Sequence, residues 1–455
     1  MNVTHSIIGT ETLWKQVGGT SKAGLGIKVG IVDSGIDHVH PFLTDSSLSM
    51  PAGFPKCDVE ENCQFTSNKV IVAREYPKSS DYTSEDKNGH GTHVSGTVAG
   101  VHGTSAPSVG GTLSGVAPKA YLGNYNVFPG DTGSASEYDI IDALEDATRD
   151  GMDVLNMSLG GGVLPGPDPL ADAVNSTVDA GIVVAVAAGN SGPGSETISS
   201  PGVAEKALTV GATTNPHFIG IAVGVTDAGV PTELASFGAA VGDFEAYETP
   251  VSARYVDWNA IDGLGNGEAC EPSLHPDLQG AIALIKRGTC TFTTKVRNAE
   301  NAGAVGVLLF NQVAGDPVAM GHDGTEPKPV IPAVMVSKDK GLAMQDWYTT
   351  NGGGHATVDG SSKSEFITEN VDIIAGFSSR GPTPYTYRIK PDVSAPGVNV
   401  YSSVPGVDFA MYQGTSMASP HVAGASAVLR QLNPRWSPQQ IKSALSSTAK
   451  RPVWD

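Results

Sequence analysis

Apolar positions along this chain follow two rhythms. Ile27-Lys28-Val29-Gly30-Ile31-Val32 is a short β-branched run that stops at Asp33-Ser34-Gly35, which reads as a buried strand with a carboxylate at its C-terminal tip. Ser136–Asp150 instead gathers Ile140, Ile141, Leu144 and Ala147 on one helical face and ends at Gly151. Lys119–Phe128, Val154–Leu159, Ile182–Ala188 and Ala207–Gly211 read as further strands. Asp168-Pro169 reads as the N-cap and first residue of a helix that closes at Gly181. Strands alternating with helices predict an α/β fold, a doubly wound and mostly parallel sheet with both faces covered. Ligands in such sheets bind beyond the C-terminal tips of the strands.

Three further stretches start helices. Asn88-Gly89-His90-Gly91-Thr92-His93 leads into the small-residue helix Val94–Val101. Gly414 to His421 opens another, continued by Val422, Ala423, Ala425, Ala427, Val428 and Leu429. Ser437-Pro438-Gln439-Gln440 carries a capping-box pattern. From Asp58 to Asp86 the chain is polar and turn-rich apart from Val70–Ala73, and reads as a surface excursion. The rhythm changes again after about residue 240. Residues 241–365 show alternating strands, many turns and one compact helix near Lys295–Ala302, flanked by Ile282–Lys286 and Val305–Phe310. The first texture returns at Ala375–Pro382, so 241–365 reads as an insert in a discontinuous domain made of 1–240 and 366–455.

A chain of 455 residues with 56 Gly, 30 Pro and 40% hydrophobic residues suits a globular, loop-rich protein of more than one core. Its 28 Lys+Arg against 47 Asp+Glu give a net charge of −19, which argues against nucleic acid and anionic membrane as partners. No run of apolar residues is long enough to span a membrane. Four cysteines fall in two local sets, neither with zinc spacing. Two disulfides in a secreted, extracellular protein is the expectation, with the local pairing Cys57–Cys63 and Cys270–Cys290 among the three connectivities. No charged-then-apolar leader opens the chain at Met1-Asn2-Val3, so export implies a signal peptide outside this sequence.

Ser416 stands at the start of a helix, where unpaired N–H groups and the helix dipole favour negative charge. A serine hydroxyl needs a base to become a nucleophile, and histidine titrates near the working pH. His90 can be that base, and Asp33 the carboxylate that fixes its tautomer. Asn190, at the mouth of another strand, could donate its amide to a developing oxyanion beside the Ser416 backbone N–H. His90 and His93 also invite a metal reading, but the glutamate and the spacing of four that a zincin requires are missing.

Val32-Asp33-Ser34-Gly35-Ile36-Asp37, His90-Gly91-Thr92-His93-Val94-Ser95-Gly96, Asn156–Gly160, Ala187–Asn190 and Gly414–His421 stand in one order along the chain. Together they resemble the subtilisin-like serine proteases, the subtilases of peptidase family S8. The resemblance implies Asp33 as orienter, His90 as base, Ser416 as nucleophile and Asn190 as oxyanion donor, with His93 structural. It also implies that Ser158, Leu159, Gly160, Ala187, Ala188 and Gly189 wall the primary specificity pocket. None of these is acidic, so a neutral, roomy pocket for an apolar or aromatic P1 residue is expected. Residues 241–365, through Gly280–Phe292, Lys295-Val296, Ala299 and Ala302-Gly303-Ala304, resemble a protease-associated (PA) domain. Such inserts gate access or mediate contacts.

The reading is therefore a secreted endopeptidase that hydrolyses polypeptide substrates through an acyl-enzyme and requires no cofactor. Acidic clusters such as Asp58-Val59-Glu60-Glu61 could hold calcium, as in many subtilases, or form a solvated face. Subtilases are made with a pro-segment, which nothing before Trp14 resembles, and relatives continue past the position of Asp455. The rival readings are a catalytically silent subtilase-fold binding protein acting through the insert, and a metal-dependent hydrolase built on His90, His93 and His102.

Overall fold

The computed structural model describes residues 3–78, 82–106, 111–130, 133–163, 165–245, 247, 249–263, 265–273 and 275–453. The chain divides into two compact units, Met1–Asn215 with Val371–Trp454, and Pro216–Asn370.

The larger unit is built on an eight-stranded parallel sheet. In spatial order its strands are Val393–Pro396, Leu208–Thr213, Val183–Ala187, Val154–Met157, Lys28–Asp33, Tyr121–Asn126, Val70–Glu75 and Lys56–Cys57. These strands are buried on both faces, which is why they read as unbroken apolar runs. Helices Glu137–Arg149 and Pro169–Asp179 cover one face, where Ile140, Leu144, Val174 and Val178 pack on Val32, Leu155 and Val184. Helices His90–Ala99 and Thr415–Leu432 pack on each other and on the central strands. The caps read from sequence are in place: Ser136 accepts from Tyr138 N, Asp168 from Ala171 N, and Ser437 forms a capping box with Gln440.

Two features of this unit differ from expectation. Val70–Glu75 is not part of a surface excursion but a sheet strand, paired in parallel with Tyr121–Asn126 and almost wholly buried. The disulfide Cys57–Cys63 (S–S 2.03 Å) lies just upstream and holds the turn that leads into it. The histidine helix begins at His90 rather than Val94. Its tight start needs glycine, since a Cβ on Gly91 would lie 2.2 Å from the Gly35 carbonyl oxygen.

The smaller unit is a closed seven-stranded barrel. Its strands run His217–Val225, Phe237–Val241, Ala333–Val336, Gly306–Phe310, Ile282–Lys286, Val251–Asp257 and Gly354–Ile367, the last pairing back onto the first. Ile221, Leu284, Leu308, Val334 and Val358 fill its interior. The unit begins earlier than the change of texture near residue 240, because the strands of 217–241 hydrogen-bond to Gly354–Ile367 and Ala333–Val336. The compact helix spans Phe292–Asn301 with Thr291 as its N-cap. A second helix, Lys338–Asn351, was not expected; Ser337 caps its start and Gly352, at φ 71°, its end. Cys270–Cys290 (S–S 2.09 Å) is the other disulfide, and no cysteine is free.

Candidate active site

The parallel sheet aims the C-terminal ends of its strands at one edge, and the sequence-derived residues collect there. Asp33 is the last residue of its strand and 2% exposed. Its Oδ1 accepts from Ser34 N at 2.8 Å and lies 2.7 Å from His90 Nδ1. Burial alone would hold the His90 imidazole below its ordinary pKa. The Asp33 carboxylate, by charge and hydrogen bond, and Asp86 beyond it, push it up instead. With Nδ1 engaged as donor to Asp33, Nε2 is the nitrogen left for chemistry.

Asp86, which sequence reasoning missed, is the buried hub of this corner. Its Oδ1 accepts from Ser34 Oγ, Asn88 N and Gly89 N, and its Oδ2 from Thr92 N and Oγ1. Five donors on one carboxylate lock the turn that delivers His90 to the helix start. The Asp86-Lys87-Asn88-Gly89 run, a turn-forming pattern in which an aspartate bonds the backbone just ahead of it, was the available signal.

Ser416 sits in the first turn of Thr415–Leu432, and its Oγ donates to the Ser158 carbonyl at 3.1 Å. Ser158 Oγ donates back to the Ser416 carbonyl at 2.6 Å. Behind this pair, Asn156 Nδ2 donates to Ser158 Oγ and Ser419 Oγ donates to Asn156 Oδ1, so side chains tie the helix to the strand tip. Asn190 Oδ1 accepts from Thr415 N at 2.9 Å and Thr415 Oγ1 at 3.0 Å. Those bonds turn the other half of the carboxamide, Nδ2, away from Thr415. A Cβ on Gly414 would stand 3.4 Å from Asn190 Nδ2 and 3.6 Å from Ser416 N, so two donors converge on the space that glycine leaves open. Gly414 also has φ 144°.

Asp33, His90, Asn190 and Ser416 all line one cleft of about 810 Å³. Ser158, Leu159, Gly160, Ala187 and Gly189 line it too, whereas Ala188 does not and is fully buried in the core. Ser199, unremarked in the sequence, lies between the two glycine walls: a Cβ on Gly160 or Gly189 would come within 2.6 or 2.7 Å of its Oγ. The cleft also carries a carboxylate outside the expected wall segments, Glu196, and an aromatic residue, Tyr385.

The structure does not bring His90, His93 and His102 together. His93 is buried, stacked on Tyr412 at 4.5 Å, with Nε2 2.9 Å from the Val400 carbonyl. Desolvation lowers its pKa to about 3. His102 stands edge-on to Trp14. Among the described residues no group of three His, Cys, Asp or Glu side chains is placed to hold a metal. In the Asp58 cluster, Asp58 binds Val59 N, Asn62 Nδ2 and Glu75 N, while Glu60 and Glu61 face solvent. No helix among the described residues is long and apolar enough to cross a membrane.

A family model described as the subtilase family matches residues 24–455. The minor extracellular protease Vpr of Bacillus subtilis (strain 168) is 33% identical over 468 residues, covering 99% of this chain and 50% of that protein. Subtilisin-like protease SBT1.6 of Arabidopsis thaliana is 30% identical over 480 residues, covering 96% of this chain and 60% of its own length. SBT1.7 of the same plant is 30% identical over 466 residues, covering 94% and 59%. The chain thus spans between half and three-fifths of the length of these relatives.

Proposed function

The chain belongs to the subtilase family, and from that premise we propose that it is a serine endopeptidase acting through Asp33, His90 and Ser416. The observation that carries the proposal is the 2.7 Å bond from His90 Nδ1 to a buried Asp33, which commits one imidazole nitrogen and leaves the other for the cleft that Ser416 lines. In the reaction, Ser416 Oγ swings from the Ser158 carbonyl to His90 Nε2 and attacks the scissile carbonyl carbon as His90 takes its proton. Asn190 Nδ2 and Ser416 N donate to the oxyanion that forms. His90 then protonates the amine leaving group, and an acyl-enzyme remains on Ser416. Water, deprotonated by His90, attacks the ester, and His90 returns the proton to Ser416 Oγ as the bond to the acyl carbon breaks and the acid product leaves.

The walls support an apolar or aromatic P1 residue, since Leu159, Gly160, Ala187 and Gly189, which line the cleft, carry no charge. Two disulfides and the word extracellular in the name of one relative support secretion. The closed barrel of 216–370 supports reading this unit as a PA domain.

Labelling tests the reaction directly. A fluorophosphonate is expected to stop casein hydrolysis and to add one adduct, found on Ser416 by peptide mass mapping. Ser416→Ala is expected to lose both adduct and activity. Hydrolysis that persists in Ser416→Ala, or that a chelator stops while the serine reagent does not, overturns the proposal.

A further inference from the structure

Two residues of the cleft hold backbone conformations that side chains ordinarily avoid. Glu196 and Tyr385 both have φ 59°, in the left-handed region that favours glycine. Such conformations persist where the surrounding structure imposes them, and they gather at ligand-contacting positions. Both residues line the cleft that holds His90 and Ser416.

Their segments are stitched into one wall. Thr197 N donates to the Arg380 carbonyl at 3.0 Å, Arg380 N donates to Thr197 Oγ1 at 2.9 Å, and Gly192 N donates to the Phe377 carbonyl at 2.8 Å. The Glu196 side chain is exposed, and no hydrogen bond or ion pair with another described residue engages its carboxylate. Tyr385 is 55% exposed. No lysine or arginine among the described residues lines the cleft, and Arg380 lines a separate cavity instead.

The wall therefore offers an unpaired carboxylate and an open aromatic ring with no cation of its own. That is the chemistry that receives a long basic side chain: the carboxylate pairs with the charged head, and the ring takes the aliphatic stem or the cation itself. We infer that Glu196 and Tyr385 form a subsite for a lysine or arginine side chain of the peptide substrate, beside the neutral pocket walled by Gly160 and Gly189. The inference rests on the serine-endopeptidase reading. It narrows the substrates to peptides that combine an apolar P1 residue with a basic residue at one other position.

The test is a set of fluorogenic peptides with a fixed apolar P1 residue, in which lysine, arginine or norleucine is placed at each other position in turn. The wild-type protein is expected to favour the basic peptides at one position by about fivefold in kcat/KM, the size of an exposed ion pair, and less as salt is raised. Glu196→Gln is expected to bring that ratio close to one, lowering kcat/KM for the basic peptides far more than for the norleucine peptide. Tyr385→Ala is expected to reduce the ratio and Tyr385→Phe to retain it. A wild type with no such preference at any position, or a preference that survives in Glu196→Gln, overturns the subsite. Fluorescence anisotropy with the same peptides on Ser416→Ala separates the two readings. A charge preference in binding that Glu196→Gln removes supports the subsite even if no peptide is hydrolysed, in which case the protease reading is the one that fails; no preference in binding or hydrolysis sinks the subsite.

Discussion

His90 is held between two opposed influences, and its titration is the most informative single-residue property of the site. Desolvation favours the neutral ring, while Asp33 and, behind it, Asp86 favour the imidazolium, so the pKa sits above the ordinary 6.5. A general base must be neutral to act, so kcat/KM is expected to rise with pH along a limb whose midpoint lies above 6.5. Asp33→Asn deletes the charge but leaves the burial, and the limb is expected to move to lower pH. Loss of the orienting carboxylate costs serine-protease triads about 10⁴ in kcat, and the same order is expected here. A pH–rate profile of Asp33→Asn with an unmoved limb would contradict this account of the base. Asp33, His90, Asn190 and Ser416 were legible because glycines and small residues bracket each of them at an element boundary. Asp86 left only its turn-forming run Asp86-Lys87-Asn88-Gly89 as a signal, and Ser199, Glu196 and Tyr385 left none, since what marks them is a close approach or a backbone angle that no spacing in the sequence encodes.

The Thr415–Leu432 helix has no cap of its own at Gly414; the first N–H is capped from another strand tip by Asn190 Oδ1. One side chain thus closes the helix end and presents its Nδ2 beside Ser416 N, and Gly414 keeps the space between them empty. Gly414→Ala puts a methyl group into that space and forces alanine to φ 144°. The expected result is a fall of at least tenfold in kcat/KM with KM changed less, and a loss of roughly 1–3 kcal/mol in stability by thermal unfolding. Wild-type kcat/KM in this variant would remove Gly414 from the site. Element boundaries were readable where a polar cap meets an apolar period, as at Ser136, Asp168 and Ser437. They were unreadable where packing overrides pattern. Helix Lys338–Asn351 buries only Gly341 and Met344, so its sequence shows almost no apolar face. Val70–Glu75 lies in a polar, turn-rich context, and only its pairing with Tyr121–Asn126 makes it part of the sheet. The entry of 217–241 into the barrel is likewise a matter of long-range pairing, which local composition does not record.

At the scale of the whole chain, acid is the stress to which the larger unit is built to respond. His5, His93 and His421 are buried in it, each with a ring nitrogen on a backbone carbonyl, of Ser114, Val400 and Met417. Each has its other ring nitrogen buried without a partner among the described residues, so a second proton would create a buried N–H that none of them accepts. Desolvation accordingly lowers all three from 6.5 to about 3. The sign follows from which state binds the proton. Below pH 6.5 the unfolded chain takes up protons at these positions while the folded unit does not, so stability falls with pH until the folded rings titrate near 3. Asp86, whose pKa burial raises, works in the opposite sense. Three protons correspond to a slope on the order of 4 kcal/mol per pH unit well inside that window, with Asp86 reducing it. Hydrogen exchange on Ser416→Ala, which prevents self-digestion, reads the unit through the Val183–Ala187 and Thr415–Leu432 peptides. Their protection, corrected for intrinsic exchange, is expected to fall by more than tenfold from pH 6 to pH 5, and His421→Gln to flatten the fall. A protection level that stays constant across that interval would mean that the three rings are not held neutral, and the packing ascribed to them here would be wrong.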